Sequence, residues 1–171
     1  MNEIIKINEG DPLWHEPVNE NFEIVEQLIQ AKKRYVYKKS GLSEVETAYK
    51  TAFGEETNIL LIREGDKVDA YIRVNIADVT KLKTAFVMIF LIPEGFKIDD
   101  SLREGFWNVA LTTVQYTFPQ GNYGALYEYG SKGIRFGSDR KGNHYVHGSW
   151  RTADPFPKSG SLGTGTVTIL D

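Results

Sequence analysis

The sequence predicts a mainly β protein, an antiparallel β-sandwich or barrel head preceded by a short amino-terminal α-helical shoulder. Three observations indicate this fold class. From residue 58 onward, apolar and polar residues alternate with a period of two, as they do in half-buried strands. Gly, Pro, Asn and Ser separate these short stretches at regular spacing, which is typical of antiparallel sandwiches and barrels. Before residue 58, apolar residues recur at clear helical spacing in a single stretch.

Length and charge limit the organisation of the chain and its partners. The 171 residues suffice for one well-buried core, whereas a second full-sized domain would be cramped. We therefore divide the chain into a helical attachment segment, 1–57, and a β head domain, 58–171. The formal net charge of -3 provides no basic field of the kind that binds phosphate backbones, so nucleic acid is not an expected partner. The absence of cysteine excludes disulfides and thiolate metal sites.

No segment has the character of a membrane anchor. The amino terminus mixes charged and apolar residues and lacks the long apolar stretch of a signal peptide. The longest apolar run, 85–93, is far shorter than the about 20 residues that cross a bilayer. We expect a soluble protein that is made in the cytoplasm and does not insert into membranes.

The helix is predicted over residues 17–33 and carries one apolar stripe. The stripe consists of Val18, Phe22, Val25 and Ile29. Ile24 and Leu28 add a second flank, so more than one neighbour could pack against the helix at once. Two interpretations stay open: the helix covers one end of the β domain, or the stripe is the interface of a trimeric bundle. Two heptads are too short to hold a trimer alone, so in the second case the head must contribute most of the interface.

Strands are predicted from the alternation and from the turn residues. The first two, 59–63 and 68–76, form a hairpin with one apolar face around a Gly-containing turn at 64–67. The stretch 84–92 is almost continuously apolar, so we expect it to be buried on both faces at the centre of the core. Five further strands are predicted at 106–118, 122–129, 133–136, 143–151 and 164–170. Between the long helix and the first strand, residues 35–57 permit a second short helix.

No catalytic constellation is evident in the sequence. His144 and His147 invite a metal site, but residues three apart in a strand face opposite sides of the sheet, so the two imidazoles could not share an ion. The glycine run at 163–166 lacks the lysine of a phosphate-binding loop and leads into a strand. Solvated loops explain the adjacent acidic pairs at 55–56 and 99–100 better than an acid/base dyad does. We predict no metal site, no cofactor and no enzymatic activity.

The candidate binding site lies in the last third of the chain, where aromatic and polar residues are concentrated. Alternation places Tyr145, His147 and Arg151 on one face of strand 143–151, while the opposite face is the better candidate for the core. A ring, an imidazole and a guanidinium suit a hydroxyl-rich ligand, which stacks on the ring and shares hydrogen bonds with the planar groups. The predicted ligand-binding residues are Asp139, Arg140, Tyr145, His147, Trp150 and Arg151. An ordinary surface or a subunit interface would explain the same residues.

Two parts of the sequence resemble proteins of phage tails. Residues 7–13, Ile-Asn-Glu-Gly-Asp-Pro-Leu, are followed by residues 17–22, Pro-Val-Asn-Glu-Asn-Phe, and a helix. This opening resembles the amino-terminal segment of tail and baseplate proteins of phages that infect Gram-positive bacteria. Residues 60–68, 92–97 and 163–166 resemble the head domain of phage receptor-binding proteins, especially those of lactococcal-type siphophages.

The resemblance implies a homotrimer in the virion, made in the bacterial host cytoplasm. Its amino-terminal segment would attach to other tail or baseplate proteins, and its β-barrel head would bind a host cell-wall saccharide without cleaving it. In that family Trp, His, Asp and Arg side chains line the ligand pocket, but no motif transfers those positions to this chain. The chain also lacks the collagen-like or β-helical neck of longer members.

Two alternatives to the attachment role remain. The first is a structural baseplate subunit with no affinity for saccharide, whose exposed face contacts another subunit. The second is a carbohydrate-active hydrolase, which would need two carboxylates about 5 to 10 Å apart across a cleft.

Overall fold

A computed structural model describes residues 4–7, 13–82, 86–103, 108–117 and 121–171, except for the side chains of 102 and 103. One α-helix, α1, spans His15–Lys32. Ten strands follow it: β1 (Arg34–Ser40), β2 (Asn58–Glu64), β3 (Lys67–Ile76), β4 (Val87–Leu91), β5 (Asn108–Gln115), β6 (Tyr123–Glu128), β7 (Gly133–Ser138), β8 (Gly142–Arg151), β9 (Gly160–Leu162) and β10 (Gly165–Leu170). Two short 3-10 helices span Thr47–Ala52 and Asp100–Arg103.

All ten strands belong to one antiparallel sheet that curls into a half-barrel. Their order in the sheet is β4-β7-β6-β5-β8-β3-β2-β1-β10-β9. The predicted mainly β fold with a short amino-terminal helix is therefore confirmed. The eight predicted strands correspond to β2 to β8 and β10, with ends that differ by a few residues. The predicted residues 84, 85, 106, 107 and 118 lie outside the described part of the chain.

Strand β1 was not predicted, and it changes the division of the chain. It lies between β2 and β10 in the sheet and is hydrogen-bonded to both. Where the sequence permitted a second helix in residues 35–57, the structure has this strand and the 3-10 helix Thr47–Ala52. The alternation of β1 was hidden because its inward-facing side includes a lysine, Lys39, whose side chain is buried. The division between residues 57 and 58 therefore separates two neighbouring strands, and the sheet begins at Arg34.

The core lies on the concave side of the curled sheet. Its largest single contribution comes from β3, whose inward-facing residues are all buried as the alternation predicts. The rings of Tyr37 and Phe96 lie 5.8 Å apart, and Trp150 Nε1 donates to the Phe96 carbonyl at 2.8 Å. The segment 93–98, which follows β4, therefore closes over the core.

Strand β4 is an end strand of the sheet and is nevertheless buried. Four of its five residues are buried, as the continuous apolar run predicts. The curl explains both facts, because it brings the end strand over the core. Lys39 Nζ on β1 lies 5.4 Å from the centre of the Phe90 ring on β4, although the two strands are far apart in the order of the sheet.

The buried Lys39 is accompanied by a carboxylate. Lys39 contacts Glu44, and Thr164 Oγ1 donates to Glu44 Oε1 at 2.9 Å. Burial lowers the pKa of Lys39 to about 8, because the charged ammonium loses its hydration. The pair joins the loop after β1 to the turn between β9 and β10, at one end of two neighbouring strands of the sheet.

Helix α1 is confirmed within two residues at each end, and it is exposed over its whole length. None of its side chains is buried, and Phe22 is 69% exposed. The interpretation that the helix covers one end of the β domain is therefore wrong. The helix contacts the segment 4–7, where Asn21 exchanges two hydrogen bonds of 2.7 and 2.8 Å with the backbone of Ile5. In the part of the chain that the structure covers, no helix is both long and apolar enough to cross a membrane.

Candidate binding site

The convex face of the sheet brings distant parts of the sequence together on strands β5, β8, β3 and β2. Antiparallel pairing aligns their outward-facing side chains into two adjacent rows. The first row is Val114, Tyr145, Arg73 and Asn58, and the second is Thr112, His147, Tyr71 and Leu60. Directly opposed residues in antiparallel strands have Cβ atoms about 4.5 to 5.5 Å apart, so the rows form a continuous surface. We call these eight residues the outer-face patch.

The outer-face patch encloses a shallow depression of about 390 Å³. All eight residues line it, together with Ile72 of β3 and Val146 of β8. Small-molecule sites occupy about 300 to 1,000 Å³, so this volume suits a small ligand or a short segment of a larger one. Apolar surface predominates, and a few polar groups stand among it, which is the usual composition of a ligand site.

Exposed rings form the walls of the depression. Tyr71 and Tyr145 are 46% and 42% exposed, respectively. The ring centres of Tyr71 and His147 lie 4.9 Å apart, so the imidazole braces the phenol ring from the neighbouring strand. Beyond the patch, Tyr116 is 76% exposed and its ring lies 6.4 Å from that of Tyr145. The three tyrosine rings therefore lie near one another across the strands and are each partly exposed to solvent.

The polar side chains of the patch are held in place by neighbours. The Arg73 guanidinium contacts the carboxylate of Glu56, and its Nε donates to Asn143 Oδ1 at 3.4 Å. Asn58 Nδ2 donates to the Glu56 carbonyl at 2.8 Å. The loop that carries Glu56 thus fixes both polar residues at the end of the first row. Such preorganisation lowers the entropic cost of binding.

A second carboxylate lies beside the patch and is also paired. Asp69 Oδ2 lies 2.9 Å from Lys67 Nζ, and Asp69 is directly opposite Ser149 on β8. Burial alone would raise its pKa, but hydrogen bonds from Lys67 and Ser149 outweigh that effect and lower the pKa of Asp69. The group is therefore ionised near neutral pH and has no proton to donate as a general acid.

Of the six predicted ligand-binding residues, the structure places two in the depression. Tyr145 and His147 line it and point outward, as the alternation predicts. Arg151 shares their face but lies four residues beyond His147, about 13 Å along the strand, and contacts Asp66 at 2.5 Å. Trp150 is a correction: it is only 7% exposed and its indole N–H is bonded inside the core, so it cannot contact a ligand on the outer face.

Asp139 and Arg140 are also outside the depression. They form the turn between β7 and β8, where Asp139 accepts hydrogen bonds of 2.9 and 3.1 Å from Asn122. Arg140 Nε lies 3.6 Å from Asp139 Oδ1. The structure gives both residues a role in shaping this turn, and the prediction that they complete the site with Tyr145 has no support in their positions.

The sequence did not identify Tyr71, Arg73, Leu60 or Val114 as site residues. Alternation alone places Tyr71 and Arg73 outward on β3, because both neighbours of each are buried or inward-facing. That signal existed, but their position beside His147 depends on the pairing of β3 with β8. No local pattern gives the partner of a strand or the register of the pair.

The two histidines of β8 face opposite sides of the sheet, as predicted. His144 is fully buried, and its Nε2 lies 3.0 Å from Ser138 Oγ. A serine beside a histidine suggests a nucleophile and its base, but Ser138 is itself 3% exposed and its oxygen also accepts from the Arg140 backbone N–H. The pair is therefore a buried structural contact. Among the described residues, no three His, Asp or Glu side chains converge on a position that could hold a metal ion.

Buried His144 leads to a prediction about pH. Burial lowers the pKa of His144 and outweighs the hydrogen bonds with the Gly142 and Val74 backbone, which raise it. The unfolded chain, with an ordinary histidine pKa of about 6.5, then binds a proton that the native state does not, so the free energy of unfolding falls as the pH drops below that value. Urea unfolding at pH 7.5 and pH 5.5 should show a smaller fall for His144→Gln, by up to about 1.4 kcal/mol per pH unit.

The matched control for this measurement is His147→Gln, which changes an exposed histidine three residues away on the same strand. It should keep the pH dependence of the unchanged protein. If His144→Gln also kept that dependence, protonation of the buried imidazole would not contribute to it.

Comparison with known proteins provides no relative from which the role of this site could be inferred. The resemblance to phage tail proteins rests on short stretches of sequence, and part of the opening stretch, 8–12, lies outside the described residues. The chain matches no known protein family, and no curated protein is significantly similar to it in sequence.

Proposed function

We propose that the protein is a receptor-binding subunit of a phage tail or baseplate that holds a host cell-wall saccharide on the outer-face patch and does not cleave it. The observation that carries the proposal is the depression itself: exposed, braced rings beside a few oriented polar groups, on a rigid sheet. Sugars have apolar C–H faces and a hydroxyl rim, which match a tyrosine face and neighbouring hydrogen-bonding groups, respectively.

Several side chains supply the polar part of this recognition. The Thr112 hydroxyl and the Asn58 amide lie at opposite ends of the two rows and can each donate and accept a hydrogen bond. His147 lies between Thr112 and Tyr71 on β8. A pyranose ring stacked on Tyr71 would have its hydroxyls within reach of these groups.

The charges near the patch support binding without hydrolysis. None of the described residues that line the depression is an aspartate or a glutamate. The two nearby carboxylates, Glu56 and Asp69, are engaged by Arg73 and Lys67. A glycosidase needs one carboxyl group that carries a proton and a second that is free to act on the other side of the bond, and this arrangement offers neither.

The exposed helix supports assembly into a homotrimer. The predicted trimer-interface residues are Val18, Phe22, Val25 and Ile29. Val25, Phe22 and Ile29 are 39%, 69% and 51% exposed, so the chain itself leaves most of this stripe uncovered. Three heads on one stem, and many on a particle, would convert weak saccharide contacts into strong avidity. The exposed Leu13 and Trp14 before the helix suit attachment to other tail proteins.

The test of the proposal is binding of the full chain to purified cell walls of Gram-positive hosts. Tyr71→Ala should weaken binding at least about tenfold, because it removes the stacking surface at the centre of the patch. Phe86→Ala is the matched control, since Phe86 is an exposed ring, 48% accessible, that does not line the depression. Equal affinity of the two variants would contradict a saccharide site at the patch.

A structural baseplate subunit is the second candidate. The observation that favours it is the apolar character of the depression, where Val114 is 55% exposed, because such surfaces also receive protein partners. In that case the chain would form rings with other baseplate proteins, would bind no cell wall, and Tyr71→Ala would impair ring formation.

A further inference from the structure

Four ion pairs lie at or near the outer-face patch, and the two charges in each pair neutralise one another. Arg73 contacts Glu56, and Lys67 contacts Asp69 at 2.9 Å. Farther along the same face, Arg151 contacts Asp66 and Arg34 contacts Glu64, each at 2.5 Å. These side chains come from different strands and turns, so the pairing is a property of the assembled surface.

Inside the depression, positive charge is also matched by negative charge. Arg73 is the one formally charged side chain among the described residues that line it, and its guanidinium already has the Glu56 carboxylate and the Asn143 side chain as partners. Lys38 follows Leu60 in the second row but does not line the depression. A bound molecule therefore meets rings, a hydroxyl and an amide, and no cation that lacks a counter-charge.

From this pairing we infer that the site selects an uncharged, hydroxyl-rich glycan segment over wall polymers that carry phosphate. The inference rests on the proposed function and names the ligand class of the same site. A phosphate placed on Tyr71 would have to displace Glu56 from Arg73 or remain beside its negative charge. A neutral sugar requires neither change and leaves the oriented Arg73 available to donate to a hydroxyl.

The shape of the ring surface adds to the inference. Tyr116 lies just beyond the end of β5, with its ring 6.4 Å from that of Tyr145 on β8, and Tyr71 on β3 is the diagonal neighbour of Tyr145. A shallow depression flanked by a row of exposed rings accommodates an internal segment of a polymer, whereas a terminal sugar is usually held in a closed pocket. The repeating neutral part of a wall polysaccharide fits this surface.

The experiment compares two probes on the full chain: a panel of uncharged hexose and N-acetylhexosamine oligosaccharides, and poly(glycerol phosphate). Affinities are measured by calorimetry at low and at high NaCl. We expect the neutral oligosaccharides to bind more tightly, with an affinity that salt changes by less than about twofold, since screening acts on charges. Tighter binding of poly(glycerol phosphate), weakened steeply by salt, would overturn the inference and leave the proposed function in place.

Two matched variants sharpen the test. Glu56→Gln removes the counter-charge of Arg73 and should shift the ratio of the two affinities about tenfold toward poly(glycerol phosphate), by raising the affinity for the phosphate polymer. Glu64→Gln removes an equally exposed carboxylate from Arg34, outside the depression, and should change neither affinity. An unchanged affinity of Glu56→Gln for the phosphate polymer would count against the inference. Failure of the chain to bind either probe or intact cell walls would overturn the proposed function together with it.

Discussion

Arg63→Met should lower the free energy of unfolding by about 3 kcal/mol or more, the largest loss of stability that we expect from a single substitution outside the apolar core. Arg63 is 3% exposed and donates hydrogen bonds to four backbone carbonyls. The acceptors are Gly65, Gly95, Asp154 and Pro155. The guanidinium also lies 4.3 Å from the centre of the Phe156 ring.

The size of this effect follows from what the substitution leaves behind. Methionine fills a similar volume but donates no hydrogen bond, so several carbonyls lose a partner in a water-poor site, at about 1 to 3 kcal/mol for each one left buried. The loops 93–98 and 152–157, which lie against each other, would also lose their common anchor. Asp154 depends on the same arrangement, because its carboxylate accepts from the backbone N–H groups of Gly95 and Lys97 at 2.8 and 3.0 Å.

Thermal and urea unfolding measure the loss, and Arg34→Met provides the matched control. Arg34→Met is the same substitution at an exposed position. Arg34 forms an ion pair with Glu64, and about half of each side chain is exposed to solvent. This substitution should cost about 1 kcal/mol or less. For a chain of this length, the difference of about 2 kcal/mol corresponds to a melting temperature about 4 to 8 °C lower in Arg63→Met than in Arg34→Met. Similar losses in the two variants would show that the buried hydrogen bonds of Arg63 contribute little.

Phe22→Asp should convert a trimer into monomers, the largest change that we expect in assembly. The full chain should have three times its 19.4 kDa chain mass in solution. Phe22 is 69% exposed in the single chain, and burying such a side chain stabilises an interface by about 1.5 to 3 kcal/mol for each copy. An aspartate there would place three carboxylates together in an apolar seam, at a further cost of several kcal/mol. Size-exclusion chromatography with light scattering measures the mass.

Gln27→Asp is the control for Phe22→Asp. It adds the same charge to the same helix at an exposed position outside the apolar stripe, so the trimer should persist. A monomeric full chain would contradict the trimer outright, and a trimer that survives Phe22→Asp would move the interface to the β head. A truncated chain that begins at Asn58 cannot separate these cases, because it lacks β1, which lies between β2 and β10.

The positions of most strands were predictable because alternation is a local property. In β3 and β8 every second residue faces the core, and alternation alone assigned the correct faces to Tyr145, His147 and the buried Val146 between them. The helix and its apolar stripe were equally readable. Prediction failed where a charged side chain interrupts the pattern on the inward face, as Lys39 does in β1.

The candidate site was only partly predictable, because its members come from four strands. Sequence reasoning grouped residues that are close in the chain, and so joined Asp139, Arg140 and Trp150 to Tyr145. In the structure, distance along a strand separates Arg151 from the depression, the pleat turns Trp150 into the core, and a turn holds Asp139. The neighbours of His147 are instead Tyr71 and Thr112, from strands on either side.

By itself, the sequence determined the mainly β class, the amino-terminal helix with its apolar stripe, and which residues of β8 point outward. These follow from periods of two and 3.6 residues, which any short segment displays. The tertiary structure alone decided the order of the strands, the burial of Arg63 and Lys39, and the meeting of Tyr71 with His147. Each of these depends on which strands pair and in what register, and that choice is made by the packing of the whole core rather than by any one segment.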